Sequence, residues 1–222
     1  MDKTTYTVKD LYIRLKKLCL YCGYKTQTSA ITKIKISRQV WSMWKDNKRL
    51  PNIYQVILLA FFFKTDIEYF FIDDAEPARY VKTITDLEDK LLYRLSLKEI
   101  NREKGIEMEN ELPDEMKRIM AEADMKIYSI TDFHLRLKEL RKFCGYKKAS
   151  SATNKINISR QVWSLYENGK RKPDISTLVI IAELFKVRIE YFFIPDAKPA
   201  DYVIGCKEDT NNSGDTDRDN EY

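Results

Sequence analysis

The sequence predicts an all-α protein in which a helical spacer joins two similar helical bundles. Three observations predict this fold. The chain repeats itself once, apolar residues recur at helical spacing inside each copy, and residue types that favour helix ends flank those runs. The chain has 222 residues, of which 44% are hydrophobic and 33% are charged, and this is ordinary for a globular protein with two small cores.

The repeat becomes visible when the chain is shifted by 122 residues. Between residues 6–81 and 128–203, about 40 of 76 positions are identical without a gap. The longest shared stretches are Ile36–Ser42 with Ile158–Ser164, and Ile67–Ile72 with Ile189–Ile194. We therefore expect a first domain over 1–81, a spacer over 82–127, a second domain over 128–205, and a disordered acidic tail over 206–222.

Charge follows the same division of the chain. Lys and Arg minus Asp and Glu gives 14 − 8 = +6 for 1–81, 9 − 12 = −3 for 82–127, 14 − 8 = +6 for 128–205 and 2 − 6 = −4 for 206–222. Two basic blocks indicate a polyanionic partner, although solvated lysines are common on any surface.

Each copy shows the pattern of four helices and a short fifth one. Leu11, Leu15 and Leu18 recur at helical spacing, as do Phe133, Leu137 and Leu140, and Gly23 and Gly145 end these first helices. The second helices are expected near Thr28–Ile34 and Ser150–Ile156.

The later helices of each copy follow from capping residues and apolar runs. Ser37 and Ser159 are expected N-caps of the third helices. Pro51 and Pro173 are expected to start the fourth helices, with apolar faces over Ile53–Phe63 and Ile175–Phe185. The runs Ile67–Ile72 and Ile189–Ile194 favour a final short helix over a β-strand.

The third helix separates a core stripe from an outward face on a helical wheel. The stripes are Val40, Trp41 and Trp44, and Val162, Trp163 and Tyr166, so the tryptophans are read as core anchors rather than base-stacking residues. The outward residues are Arg38, Gln39, Ser42, Met43 and Asp46, and Arg160, Gln161, Ser164, Leu165 and Asn168. Arg pairs with guanine and Gln with adenine in the major groove, so this face favours DNA binding over a merely solvated surface.

The segment from Ser159 to Asp174, with its run Glu167-Asn-Gly-Lys-Arg-Lys-Pro173, resembles the lambda-repressor-like (Cro/C1, XRE-type) helix-turn-helix domain. The resemblance implies a five-helix DNA-binding bundle whose third helix is the recognition helix. It implies base contacts from Arg38, Gln39, Met43, Arg160, Gln161 and Leu165. It implies backbone contacts from Gln27, Ser42, Lys48, Arg49, Ser164, Lys170 and Arg171.

The first copy departs from the family run, since Lys45 and Asn47 replace its Glu and Gly. Asn tolerates the left-handed conformation that Gly usually supplies, so the turn can survive. Other departures are Ile31 and Thr153 at usually small positions of the second helix, Lys35 and Asn157 at the turn glycine, and Ala149 at the counterpart of Gln27. Loss of DNA binding by the first copy therefore stays open.

The spacer is too apolar for a free linker. Thr85–Glu88 resembles a capping box before a stripe of Ile84, Leu87, Leu91, Leu92 and Leu95, and Pro113 is expected to start a second helix. Two interpretations stay open. The spacer packs on the repeats, or it forms a homodimer or a surface for another protein.

Other functional classes find little support. Cys19 and Cys22 lack a second pair for zinc, and the cysteines are read as core thiols. His134, the one histidine, is read as structural. We expect no enzyme, no metal, no cofactor, no membrane span, and a cytoplasmic protein of bacterial, phage or mobile-element origin.

These patterns predict a sequence-specific binder of double-stranded DNA that regulates transcription, most simply as a repressor reading two similar half-sites. The alternative is a protein-interaction module, such as an antitoxin-like protein, in which one or both copies do not bind DNA.

Overall fold

The computed structural model describes residues 5–34, 36–82, 126 and 128–204. In the first copy the α-helices are α1 Leu11–Tyr21, α2 Gln27–Ile34, α3 Arg38–Lys45 and α4 Ile53–Phe63, followed by the 3-10 turns η1 Ile67–Phe70 and η2 Pro77–Arg79. In the second copy they are α5 Phe133–Phe143, α6 Ala149–Thr153, α7 Arg160–Glu167 and α8 Ile175–Phe185, followed by η3 Ile189–Phe192 and α9 Pro199–Tyr202. The described part of the chain is helical and contains no β-strand, so the all-α prediction is confirmed.

The spacer helices, the homodimer through 82–127 and the acidic tail lie outside the described residues. The boundaries of the two domains stay predictions.

The predicted apolar stripes form the core. Leu15, Leu18, Leu137 and Leu140 are fully buried on α1 and α5. Val56 of α4 is also fully buried, and one continuous apolar cluster extends through both copies. Apolar burial at helical spacing is therefore the main force that folds each copy.

The helix ends show where the sequence interpretation needs correction. Asn52, not Pro51, caps α4, and it does so through a capping box with Gln55; Asp174 caps α8 in the same position. Each proline therefore lies one residue before the N-cap and not at the helix start. A capping side chain accepts a hydrogen bond from a backbone amide of the first turn that has no partner within the helix. The side chain of proline has no acceptor for this bond.

Two other elements differ from their predicted form. Helix α6 ends at Thr153, three residues before the predicted end, because the chain continues as turns in which the amides of Lys155 and Ile156 donate to carbonyls three residues earlier. The aromatic run after α4 is a 3-10 turn over Ile67–Phe70, so the short-helix interpretation is closer than the β-strand.

A buried arginine fastens the N-terminal segment of each copy to its last turn. The Arg14 guanidinium donates to the carbonyls of Thr7 and Phe70, both at 3.0 Å. Arg136 makes the equivalent bonds to Ser129 and Phe192, at 2.8 and 2.9 Å. The duplicated unit therefore includes its N-terminal segment.

Candidate nucleic-acid interface

Helix α3 presents its N-terminal polar residues to solvent. The Ser37 side chain caps the helix by accepting from the Val40 amide at 3.2 Å. Trp41 and Trp44 are buried on the opposite side. Arg38, Gln39 and Ser42 are exposed, whereas Met43 is half-buried. The capped first turn is thus free to meet a partner, and the predicted exposure of Met43 is only partly met.

Helix α7 repeats this arrangement in the second copy. Ser159 accepts from the Val162 amide at 3.2 Å, and Trp163 and Tyr166 are buried. The outward residues Arg160, Gln161, Ser164 and Leu165 are exposed. Both copies therefore show an Arg-Gln pair at the tip of a helix that its aromatic residues anchor in the core.

A hydrogen-bond network centred on Gln27 holds α3 in place. The Gln27 amide oxygen accepts from the Tyr12 hydroxyl at 2.6 Å and from the Trp41 indole nitrogen at 3.3 Å. This single side chain at the start of α2 therefore links α1 and α3. Its amide nitrogen, which is the donor that a phosphate needs, forms no hydrogen bond within the described residues.

A buried ion pair, which sequence reasoning missed, holds α7. Arg141 of α5 donates to Glu167 through Nε at 2.6 Å and through Nη2 at 3.3 Å. Its third nitrogen donates to the carbonyls of Tyr146 and Lys147. One signal of this pair is present in the sequence. Both positions differ between the copies, since Cys19 and Lys45 occupy them in the first copy.

The indole nitrogen of Trp163 lacks, within the described residues, the acceptor that Gln27 supplies to Trp41 in the first copy. Ala149 stands at the counterpart of Gln27, and Trp163 Nε1 is buried with no hydrogen-bond partner within the described residues. Exposed Lys147 and Lys148 precede α6 and were not singled out from the sequence. They place positive charge at the helix start where the amide donor is missing.

The turns after α3 and α7 carry the predicted basic residues. Asn47 and Gly169 both have left-handed backbones, with φ of 53° and 69°, so asparagine does replace glycine in the first copy. Lys48, Arg49, Lys170 and Arg171 are exposed beside these turns. Lys48 pairs with Asp46 at 3.3 Å, whereas the matching Asn168 donates to Ser164 at 3.1 Å. The second copy therefore carries less negative charge on this face.

Three of the cysteines and the histidine lie within the part of the chain that is described. No group of three or more His, Cys, Asp or Glu residues there is placed to hold a metal ion. Cys19 is buried, and burial raises the pKa of its thiol to about 11, while Cys22 and Cys144 are half-buried. The His134 ring lies against Gly169, since a Cβ added at that glycine would come within 3.3 Å of the ring.

Comparison with known families bears on the second copy. Residues 137–192 match a family model described as Helix-turn-helix. The match indicates a helix-turn-helix domain in the second copy, and the matched residues contain α7 and the exposed Arg160, Gln161 and Leu165. No curated protein and no solved structure matches the chain significantly.

The helix-turn-helix itself consists of α6, the turn after it and α7.

No helix in the described ranges is long and apolar enough to cross a membrane.

Proposed function

We propose that this protein is a sequence-specific, double-stranded DNA-binding transcriptional regulator that uses both copies. The observation that carries the proposal is the duplicated helix tip. Arg38 and Gln39, like Arg160 and Gln161, lie exposed in the first turn of a capped helix. The first turn of a recognition helix is the part that reaches base edges, and Arg and Gln read guanine and adenine there.

The residues around each tip divide into two proposed roles. Base contacts come from the Arg-Gln pairs together with Met43 and Leu165, whose apolar ends suit a thymine methyl group. Phosphate contacts come from residues at the flanks of the helices: Gln27, Ser42, Lys48, Arg49, Ser164, Lys170 and Arg171. Phosphate contacts fix the register of the helix on the duplex, and base contacts supply the sequence preference.

Repression is the simplest regulatory outcome. A protein that occupies both half-sites of a promoter-overlapping target would exclude the polymerase. Such a regulator would work in the cytoplasm of a bacterium, or on the genes of a phage or mobile element.

The test is an equilibrium binding measurement on duplex DNA. Selection from a random duplex pool should enrich a defined sequence, and the affinity for it should fall steeply with salt because counterions return to the phosphates. A matched measurement on a scrambled duplex of equal length separates specific from non-specific binding. A pool that stays random after several rounds would overturn the proposal.

A protein-interaction module is the second candidate. Equivalent apolar side chains are exposed on the outer faces of α1 and α5: Ile13 and Leu135 at 52% and 56%, and Tyr21 and Phe143 at 53% and 50%. Apolar side chains at matched exposed positions are a feature of partner-binding surfaces. If the chain has this function alone, replacing Arg38 and Arg160 should leave its biological effect intact, whereas replacing Leu135 and Phe143 should abolish it.

A further inference from the structure

Each copy places one tyrosine against the other copy at their interface. The Tyr6 hydroxyl of the first copy accepts from the Ile189 amide at 3.2 Å, and the Tyr128 hydroxyl of the second accepts from the Ile67 amide at 3.1 Å. Tyr6 and Tyr128 are 122 positions apart, and so are Ile67 and Ile189. The same contact is therefore made twice, in opposite directions.

Two further contacts follow the same rule. The Tyr6 amide donates to Glu183 of α8 at 3.2 Å, and Tyr128 packs on Phe61, the counterpart of Glu183, with ring centroids 5.8 Å apart. Phe71 and Phe193, which are counterparts of each other, are in direct ring contact at 6.3 Å. A residue that meets its own counterpart lies on or near a symmetry axis.

Reciprocal contacts of this kind define a two-fold relation. In a two-fold interface residue i of one unit touches j of the other while j touches i, whereas a head-to-tail arrangement uses two different patches. The copies therefore form a dimer-like pair within one chain. The two tyrosine hydroxyls also donate to carboxylates, Tyr6 to Glu68 at 2.9 Å and Tyr128 to Asp66 at 3.2 Å, so neither is left unpaired.

One further contact between the copies lies beside the basic turn that follows α7. Lys172, which follows the basic turn after α7, donates to the hydroxyl of Tyr54 in the first turn of α4, and its ammonium group lies 4.6 Å from the centre of that ring. Helix α4 begins shortly after the basic turn that follows α3. A two-fold rotation keeps equivalent atoms at the same height along its axis, so the two Arg-Gln tips lie at the same height along the axis that relates the copies.

We infer that a single chain binds an inverted repeat of two similar half-sites, with its internal two-fold axis aligned on the dyad of the DNA. The inference rests on the proposed function. Operator symmetry mirrors the symmetry of the protein that reads it. Because one continuous apolar core joins the two copies, one chain covers both half-sites without a second copy, and that core sets the distance between the half-sites.

The experiment uses the full chain and duplexes derived from the sequence that a random pool enriches. Four duplexes are compared by fluorescence anisotropy: the selected site, the same site with one half turned to make a direct repeat, the site with one half scrambled, and the site with five base pairs inserted at its centre. Mass photometry counts the chains on each duplex.

The expected result is a complex of one chain per duplex on the inverted repeat. Bivalent binding is expected to be roughly 100-fold tighter than binding to the scrambled-half duplex. The direct repeat and the insertion duplex should fall to the scrambled-half level, since half a helical turn places the second site on the wrong side.

Two results would overturn the inference while leaving DNA binding intact. One is equal affinity for the direct and inverted repeats, and the other is a tight complex that always contains two chains. The absence of specific binding to every duplex would instead overturn the proposed function itself.

A variant of the protein, instead of the duplex, tests the same geometry. Replacing Tyr6 and Tyr128 together by Phe removes both reciprocal hydrogen bonds, and the penalty for the five-base-pair insertion should then shrink. The control is Tyr21→Phe, because Tyr21 is exposed and its counterpart is already Phe143. If the double variant does not fold, the series of duplexes still decides the question.

Discussion

The first and second copies expose nearly the same tip of the third helix but hold that helix in place through different contacts. Both third helices begin Ser-Arg-Gln-Val-Trp-Ser. In the first copy, Gln27 binds Tyr12 and Trp41 and so links three helices through neutral hydrogen bonds. In the second copy, the ion pair of Arg141 with Glu167 takes over that task. The exposed tip is kept while the means of holding it has changed, as expected if the tip carries the function.

Each copy also leaves one buried indole nitrogen without an acceptor within the described residues. It is Trp44 Nε1 in the first copy and Trp163 Nε1 in the second, where the ion pair secures the end of α7. A buried donor without a partner lowers stability. The contacts that hold α3 and α7 therefore differ in kind, and substitutions in the two copies should affect stability differently.

The largest effect should come from Glu167→Ala. The variant leaves the Arg141 guanidinium buried with two carbonyl partners and no counter-charge, and we expect a loss of about 3 kcal/mol in unfolding free energy. Urea unfolding followed by tryptophan fluorescence measures it. The matched control is Lys45→Ala at the equivalent exposed position, which should change stability by less than about 0.5 kcal/mol. Equal losses in the two variants would show that the pair does not hold α7.

An intermediate effect is expected for Gln27→Ala, which copies the residue of the second copy into the first. It removes the acceptor of both Tyr12 and Trp41, so the unfolding free energy should fall by about 1 to 2 kcal/mol. Affinity for DNA should also fall, because α3 loses its alignment and because the proposed phosphate contact of Gln27 is removed. The reverse change, Ala149→Gln, serves as the control and should not destabilise the second copy. A neutral result for Gln27→Ala would remove this network from the account of α3.

The smallest effect concerns Glu68 at the interface between the copies. Its surroundings are Tyr6, which donates to it, the carboxylate of Glu190, and the cations Arg188 and Lys126. Burial, followed by the charge of Glu190, raises the pKa of Glu68. The folded state therefore holds this proton more tightly than the unfolded state, and the contribution of Glu68 to stability falls as the pH rises through its raised pKa.

Glu68→Gln should remove that pH dependence. The glutamine still accepts from Tyr6, and it carries no charge to oppose Glu190. The variant should match the parent in thermal stability near pH 4 and exceed it slightly near pH 7. A variant that is less stable than the parent at pH 7 would contradict this interpretation.

The parts of the fold that local patterns determine were predictable. Apolar spacing located α1, α4, α5 and α8, and the serine caps of α3 and α7 are confirmed. Helical spacing also separated the buried tryptophans from the exposed Arg-Gln tips. The N-caps of α4 and α8 were missed because Pro51 and Pro173 also favour a helix start, and the capping side chains of Asn52 and Asp174 decided the position.

Contacts between distant residues had no such signal. The sequence predicts short helices over Ile67–Ile72 and Ile189–Ile194 but not that their first amides bind tyrosines of the other copy. Arg141 and Glu167 lie on different helices far apart in the chain, and no local pattern pairs them. Pairing of this kind depends on the tertiary arrangement and not on local periodicity.

The most direct measurement is the affinity of Arg38→Ala, Arg160→Ala and the double variant for the selected duplex. Each single change should cost about 1 to 3 kcal/mol of binding free energy and relax preference at one base position, one in each half-site. The unfolding transitions should stay unchanged because both side chains are exposed. Affinity that is unchanged to within a few tenths of a kcal/mol in both single variants would contradict DNA readout by these helices.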